Sequence, residues 1–164
     1  MSNLTLTPTS TQSKPTSSTP SDWGLFLLRL ALGIVFMAHG SQKLFGAFGG
    51  PGLAGVVKMM GSLGYLVSIG EFFGGLGIVV GFLTRFSAGS LIVIMLGAIA
   101  MVHIHNGFFM NWMGSQKGEG IEYHLLVIGM CLAILIGGPG HFVLSRLLPV
   151  PKHPVTGQPH PSIE

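Results

Sequence analysis

Four apolar stretches, each long enough to cross a bilayer as a helix, occupy most of the chain between Gly24 and Gly138. About 20 consecutive apolar residues are needed to traverse the ~30 Å hydrocarbon core. They read as Gly24–Phe45, Gly64–Leu83, Phe86–Ile104 and Ile121–Gly138, the last stopped by Pro139-Gly140. Only 8% of residues are charged, against about 25% in soluble domains. So few charges cannot clothe a soluble fold of 164 residues. The expected fold class is therefore all-α, a polytopic membrane protein built as a four-transmembrane-helix bundle.

Residues 1–22 are rich in Ser, Thr and Pro and nearly devoid of large apolar side chains. Such a segment buries too little surface to offset its ordering entropy, so a disordered tail is expected there. No basic n-region precedes the first span, which is expected to stay in place as a signal-anchor. The four-helix domain is assigned to 23–148, followed by a flexible Pro-rich tail, 149–164. Spans two and three are separated only by Thr84-Arg85, which demands a tight antiparallel hairpin. The other connections are longer: 46–63, with an amphipathic piece Leu53–Met60, and 105–120, with Phe108, Phe109 and Trp112 suited to the headgroup level.

An even number of crossings puts both ends of the chain on one side. That side carries Lys14, Arg85, Arg146 and Lys152; the other carries Lys43, Lys58 and Lys117, offset by Glu119 and Glu122. The positive-inside rule then places both termini in the cytoplasm. The net charge of +3 is scattered, without a basic run or aromatic-interleaved patch, which argues against nucleic acid as a partner. Cys131, the sole cysteine, cannot form an internal disulfide and reads as a small hydrophobe in an apolar run.

In lipid, helices associate through close backbone approach rather than through a hydrophobic gain. Gly70, Gly74, Gly77 and Gly81 recur on one face of span two and are expected to pack a neighbouring helix; Gly33 and Gly40 offer the same in span one, Gly89 and Gly97 in span three.

Antiparallel alternation brings His39, Lys43, Glu71, His103, His105, Glu122 and His124 toward one end of the bundle. A carboxylate within a span costs roughly 2.5–3.5 kcal/mol on insertion scales, so Glu71 should face the interior and take a partner, with His39 or Lys43 nearest in depth. One reading is a structural clamp between spans one and two. The other is a polar pocket that binds a small ligand and exchanges protons, since histidine and carboxylate together suit that chemistry near neutral pH. Arg29, near the opposite end, reads most simply as snorkelling to the headgroups. No metal site is expected: His103-x-His105 does not put both rings on one helical face, and there is no HExxH or cysteine set.

Several segments resemble the DoxX family of bacterial membrane proteins. They are Arg29-Leu30 through His39-Gly40-Ser41-Gln42-Lys43 to Gly49-Gly50-Pro51-Gly52, then Glu71-Phe72-Phe73-Gly74-Gly75 with Gly81-Phe82-Leu83-Thr84-Arg85. His103 with Asn106-Gly107-Phe108-Phe109, Glu122-Tyr123 and Gly138-Pro139-Gly140 complete the likeness, over roughly residues 25–145. The resemblance implies a four-span bundle in the bacterial cytoplasmic membrane, with His39, Lys43, Glu71, His103 and Glu122 on the family's polar positions. It also implies association with redox systems, among them a thiosulfate:quinone oxidoreductase. The chain itself carries no flavin or haem signature and no thiol pair. The reading favoured at this point is a membrane subunit of a redox system that binds a quinone-like ligand, working with a redox partner protein or as a homo-oligomer. The alternatives are a non-catalytic scaffold that recruits an enzyme through the 105–120 loop, and small-solute or proton transport.

Overall fold

The computed structural model describes residues 18–140 and 142–144; the expected tails fall outside these residues except for residues 18–22. The described residues are all-helical. The elements are α1 (Pro20–Phe45), a 3₁₀ turn at Ala47–Gly49, α2 (Gly52–Met60), α3 (Leu63–Val80), α4 (Thr84–Ala98) and α5 (Glu122–Gly137). A π-helical turn (Ile99–His103) and a 3₁₀ turn (Ile104–Asn106) extend α4 without a break.

Three helical stretches are long and apolar enough to cross a membrane: Pro20–Phe45, Leu63–Val80 and Thr84–Asn106. The fourth, Glu122–Gly137, is apolar but has 16 residues, about 24 Å of helix at 1.5 Å per residue. Large apolar side chains cover the outside of these helices: Leu27, Ile34, Phe73, Val93 and Ile136 are all well exposed. Water would not tolerate that surface and acyl chains would, in keeping with a multi-pass membrane protein.

α1 begins earlier than the expected tail boundary, inside residues 1–22. Thr19 is the N-cap, Pro20 opens the helix, and Asp22 closes a capping box: Asp22 N donates to Thr19 Oγ1 at 3.3 Å and Thr19 N to Asp22 Oδ2 at 2.8 Å. Thr-Pro-Ser-Asp is a start signal with a mechanism, masked by the low hydropathy around it. The hairpin between α3 and α4 also differs from expectation. Its turn is Gly81-Phe82-Leu83, and Thr84-Arg85 already belong to α4. Gly81 makes the reversal possible with φ +73°, its N–H bonding Gly77 O, a left-handed cap that suits glycine.

α1 and α3 share the most extensive interface. It is set by small residues: a methyl group at Gly75 would lie 2.7 Å from both Gly33 O and Met37 N, and one at Gly40 would run into the backbone of Phe72. The Gly70, Gly74, Gly77 face meets α4 instead, through Ile94, Leu91 and Ser87. Gly81 caps α3, and a methyl group at Gly89 or Gly97 of α4 would meet nothing within 4 Å. A core of Leu32, Phe36, Ile78, Ala88, Leu91, Met95, Val127, Cys131 and Ile134 fills the space between α1, α3, α4 and α5.

Arg29 does not snorkel. Its side chain is 0% exposed. Nε donates to Ile78 O (2.9 Å) and Nη2 to Val79 O (3.1 Å), while Nη1 donates to Pro139 O (2.5 Å) and Phe142 O (2.8 Å). The last carbonyls of a helix have no intrahelical partner. Arg29 supplies donors to two of them at the end of α3 and to the segment after α5, which is why inward burial beats the route to the headgroups.

A polar cavity at the connecting-loop end

Gly40 governs the site. It lets α1 lie directly on the backbone of Phe72, beside Glu71. His39 and Lys43, four residues apart and so on one helical face, are thereby delivered to α3 at the depth of its only carboxylate. Lys43 Nζ donates to Glu71 Oε2 at 2.5 Å. The side chains are 25% and 6% exposed, respectively. Of the two partners foreseen for Glu71, the structure pairs it with Lys43. His39 faces the ring of Tyr123, with centroids 6.3 Å apart.

The π turn at Ile99–His103 carries His103 to the ring of His124, with centroids 4.2 Å apart. A π turn inserts an extra residue in the helical repeat and rotates the residues after it, and such turns often accompany functional sites. His103 Nδ1 lies 2.7 Å from Glu119 O. A carbonyl can only accept, so Nδ1 carries the proton and Nε2 is left as an acceptor while the ring is neutral. Tyr123 Oη is buried and has no hydrogen-bond partner among the described residues.

These groups surround one cavity of about 550 Å³. Its polar lining is His39, Lys43, Glu71, His103, Tyr123 and His124, with Glu119 at the loop end; the remaining walls are aliphatic, methionine and Phe36. Apolar walls with a few convergent polar groups, in the range of about 300–1,000 Å³, are the usual make-up of a small-molecule site. The cavity wall carries two donors, Lys43 from α1 and Tyr123 from α5, and carboxylate and imidazole groups able to exchange protons.

Two residues expected at this site are placed elsewhere. Glu122 stands in the first turn of α5 with its backbone N–H on Phe108 O (2.9 Å), and it does not line the cavity. Helical geometry explains it: Tyr123 and His124, the next positions round the helix, take the inward direction. His105 is exposed and also outside the lining. Tyr123 carried no signal of its own in the sequence, because a tyrosine at the start of an apolar helix reads equally well as an interfacial anchor. Among the described residues, no group of three His, Cys, Asp or Glu side chains stands close enough together to hold a metal ion.

The DoxX family model matches residues 24–104, from the second turn of α1 to just past the π turn. His39, Lys43, Glu71 and His103 lie inside that match, and Tyr123 and His124 lie beyond it. A curated relative from Bacillus subtilis (strain 168), named Putative oxidoreductase CatD, is 29% identical over 117 residues, 68% of this chain and 78% of that protein. No solved structure matches the chain. Residues 24–104 of this multi-pass membrane protein thus match as a DoxX domain.

Proposed function

We propose that the chain is a membrane subunit of a redox system and that its cavity receives the head of a quinone-like ligand. The observation that carries the reading is the Lys43–Glu71 pair, set in an apolar cavity beside the unpartnered phenol of Tyr123. A quinone head presents two carbonyl oxygens, which Lys43 and Tyr123 can meet as donors. Its reduction to the quinol takes two electrons and two protons. Glu71, His39 and the His103–His124 pair supply proton-exchanging groups on the cavity wall. The electrons come from a redox partner protein, for which the oxidoreductase name of the Bacillus relative gives support.

In this reading α5 is the fourth crossing, shortened to 16 residues, and both ends of the chain lie on the cytoplasmic side of the bacterial inner membrane. The test is equilibrium binding of ubiquinone-1 to the purified protein in lipid nanodiscs. Lys43→Met and Tyr123→Phe weaken binding, whereas His105→Ala leaves it unchanged. Equal binding by all four proteins would remove the idea.

A second reading has its own observation. Trp112 is 84% exposed and stands with exposed Phe108, Phe109 and Met113 on the 107–121 connection, a surface a scaffold could use to recruit an enzyme. Replacing Phe108, Phe109 and Trp112 by Ser separates the two: loss of partner co-purification with quinone binding intact would favour the scaffold.

A further inference from the structure

The cavity has two flanks, and they are built differently. Toward the connecting loops it is walled by Met60 of α2 and by Met110 and Glu119 of the 107–121 connection. That connection is tied across the end of the bundle. Gly120 N donates to Phe109 O (3.1 Å), Ile121 N to Gly107 O (3.2 Å) and Glu122 N to Phe108 O (2.9 Å). Asn106 Nδ2 and His103 Nδ1 both bond Glu119 O, and Asn111 N bonds Glu119 Oε2 at 2.6 Å. These bonds tie the connection across this end of the bundle, with the exposed Glu119 giving it a polar edge.

The flank between α3 and α4 is another matter. The two helices are held together from Gly77–Ser87 through Gly74–Leu91 to Gly70–Ile94, where glycine meets a side chain at each level. Beyond Gly70 no further glycine of α3 packs on α4, and Gly64 meets Val56 and Val57 of α2. α3 carries Leu63, Leu66 and Val67 there, and α4 with its π turn carries Val93, Gly97 and Met101. All six line the cavity. Gly97 stands beside open space there, since a methyl group on it would meet nothing within 4 Å. Leu66, Val93 and Met101 are also more than half exposed, Val93 at 69%. A side chain that lines a cavity and is open to the outside stands on its rim. Because these residues sit on membrane-spanning helices and are all apolar, the outside they meet is acyl chain.

We infer that the cavity opens sideways into the bilayer between α3 and α4, and that its ligand is a lipid-dissolved amphiphile which enters head first, leaving an apolar tail between Leu66 and Val93. This rests on the reading of the cavity as a ligand site and specifies how the ligand arrives. A tail in that position is in contact with apolar rim and lipid throughout, so it is never desolvated from water on binding. The head alone exchanges its surroundings, reaching Lys43, Glu71 and Tyr123 from the membrane side. A water-soluble head without a tail gains no contact along that apolar rim.

The experiment places a nitroxide at Gly97→Cys in a Cys131→Ser background, in phosphatidylcholine nanodiscs, with Gly89→Cys as a lipid-facing site away from the cavity. Met101→Cys, on the same rim, serves if the first variant does not fold. Collisions are measured with oxygen, which partitions into lipid, and with a neutral nickel chelate, which stays in water. The inference requires oxygen to relax the label at 97 far more than the chelate does. It also requires decylubiquinone to reduce those oxygen collisions at 97 and not at 89, with tail-less ubiquinone-0 doing neither. A label at 97 relaxed mainly by the chelate would overturn the inference, as would one reached by neither agent. Oxygen access without any effect of decylubiquinone would keep the portal and remove the quinone reading instead. Protection of 97 by ubiquinone-0 as strong as by decylubiquinone would keep the quinone reading and overturn entry from the bilayer.

Discussion

Arg29→Met offers the sharpest test of how this bundle is held together. The substitution keeps most of the side-chain volume and removes four hydrogen bonds from a fully buried guanidinium. Orphaning a buried acceptor costs about 1–3 kcal/mol. Ile78 O is the buried one and takes the full cost, while the carbonyls of Val79, Pro139 and Phe142 are partly buried and can regain some hydration. Taking about 2 kcal/mol for the first and about 0.5–1 for each of the others gives a gross loss of about 4 kcal/mol. Relief from keeping a guanidinium out of water offsets part of it, leaving a net loss of about 3 kcal/mol. For a chain of this size that corresponds to roughly 6–12 °C in Tm. The protein carries its own reporter: Cys131 is its single cysteine and is fully buried, so a thiol-reactive fluorophore lights up only on opening. Arg29→Lys should recover part of the loss, since an ammonium carries charge but only three donors from one point. An Arg29→Met protein that opens at the wild-type temperature would refute the assignment of Arg29 as the tie between α3 and the segment after α5.

The glycines predict opposite outcomes at neighbouring levels of the fold. Gly75→Ala forces a methyl onto Gly33 O and Met37 N and should destabilise by about 1–3 kcal/mol. Gly89→Ala meets nothing within 4 Å and should be neutral or stabilise by up to about 1 kcal/mol through helix propensity; thermal unfolding of the two variants decides. In the ion pair, Lys43→Met leaves a carboxylate that is only 6% exposed, whereas Glu71→Gln leaves a lysine that is 25% exposed. The first should therefore cost more, at most about 3–5 kcal/mol, and the double variant should be more stable than Lys43→Met alone, a non-additivity that denaturation of the four-member cycle reads directly.

Depth was the part of the site most legible from residues alone. Alternation of crossings is enough to bring His39, Lys43, Glu71, His103 and His124 to one end, because it depends only on span order. Direction round each helix was less legible. Glu122 and Tyr123 are adjacent, and which of them points inward depends on the rotation of α5, set by Val127, Cys131 and Ile134 packing into the core. The π turn before His103 adds a rotation that no regular 3.6-residue projection contains. The glycine pattern in α3 marks a packing face but not its partner. That Gly70, Gly74 and Gly77 serve α4 while Gly75 serves α1 reflects two helices contacting α3 from different sides. Arg29 departs from the snorkelling expectation, which rests on the cheap exit to the headgroups that a lone cation near a span end generally has. Here carbonyls contributed from positions 78, 79, 139 and 142 make an inward site that no local pattern announces.

Photolabelling tests the central claim most directly, because it asks where a ligand sits without assuming an activity. An azido-quinone with a decyl tail, photolysed with the protein in nanodiscs and mapped by mass spectrometry, should attach to the cavity lining: Met60, Leu66, Met101 and Tyr123. Excess decylubiquinone should suppress that attachment. Labelling confined to the groove that α3 and α4 form between Phe73 and Ser87, or to Trp112 and its neighbours, would contradict it.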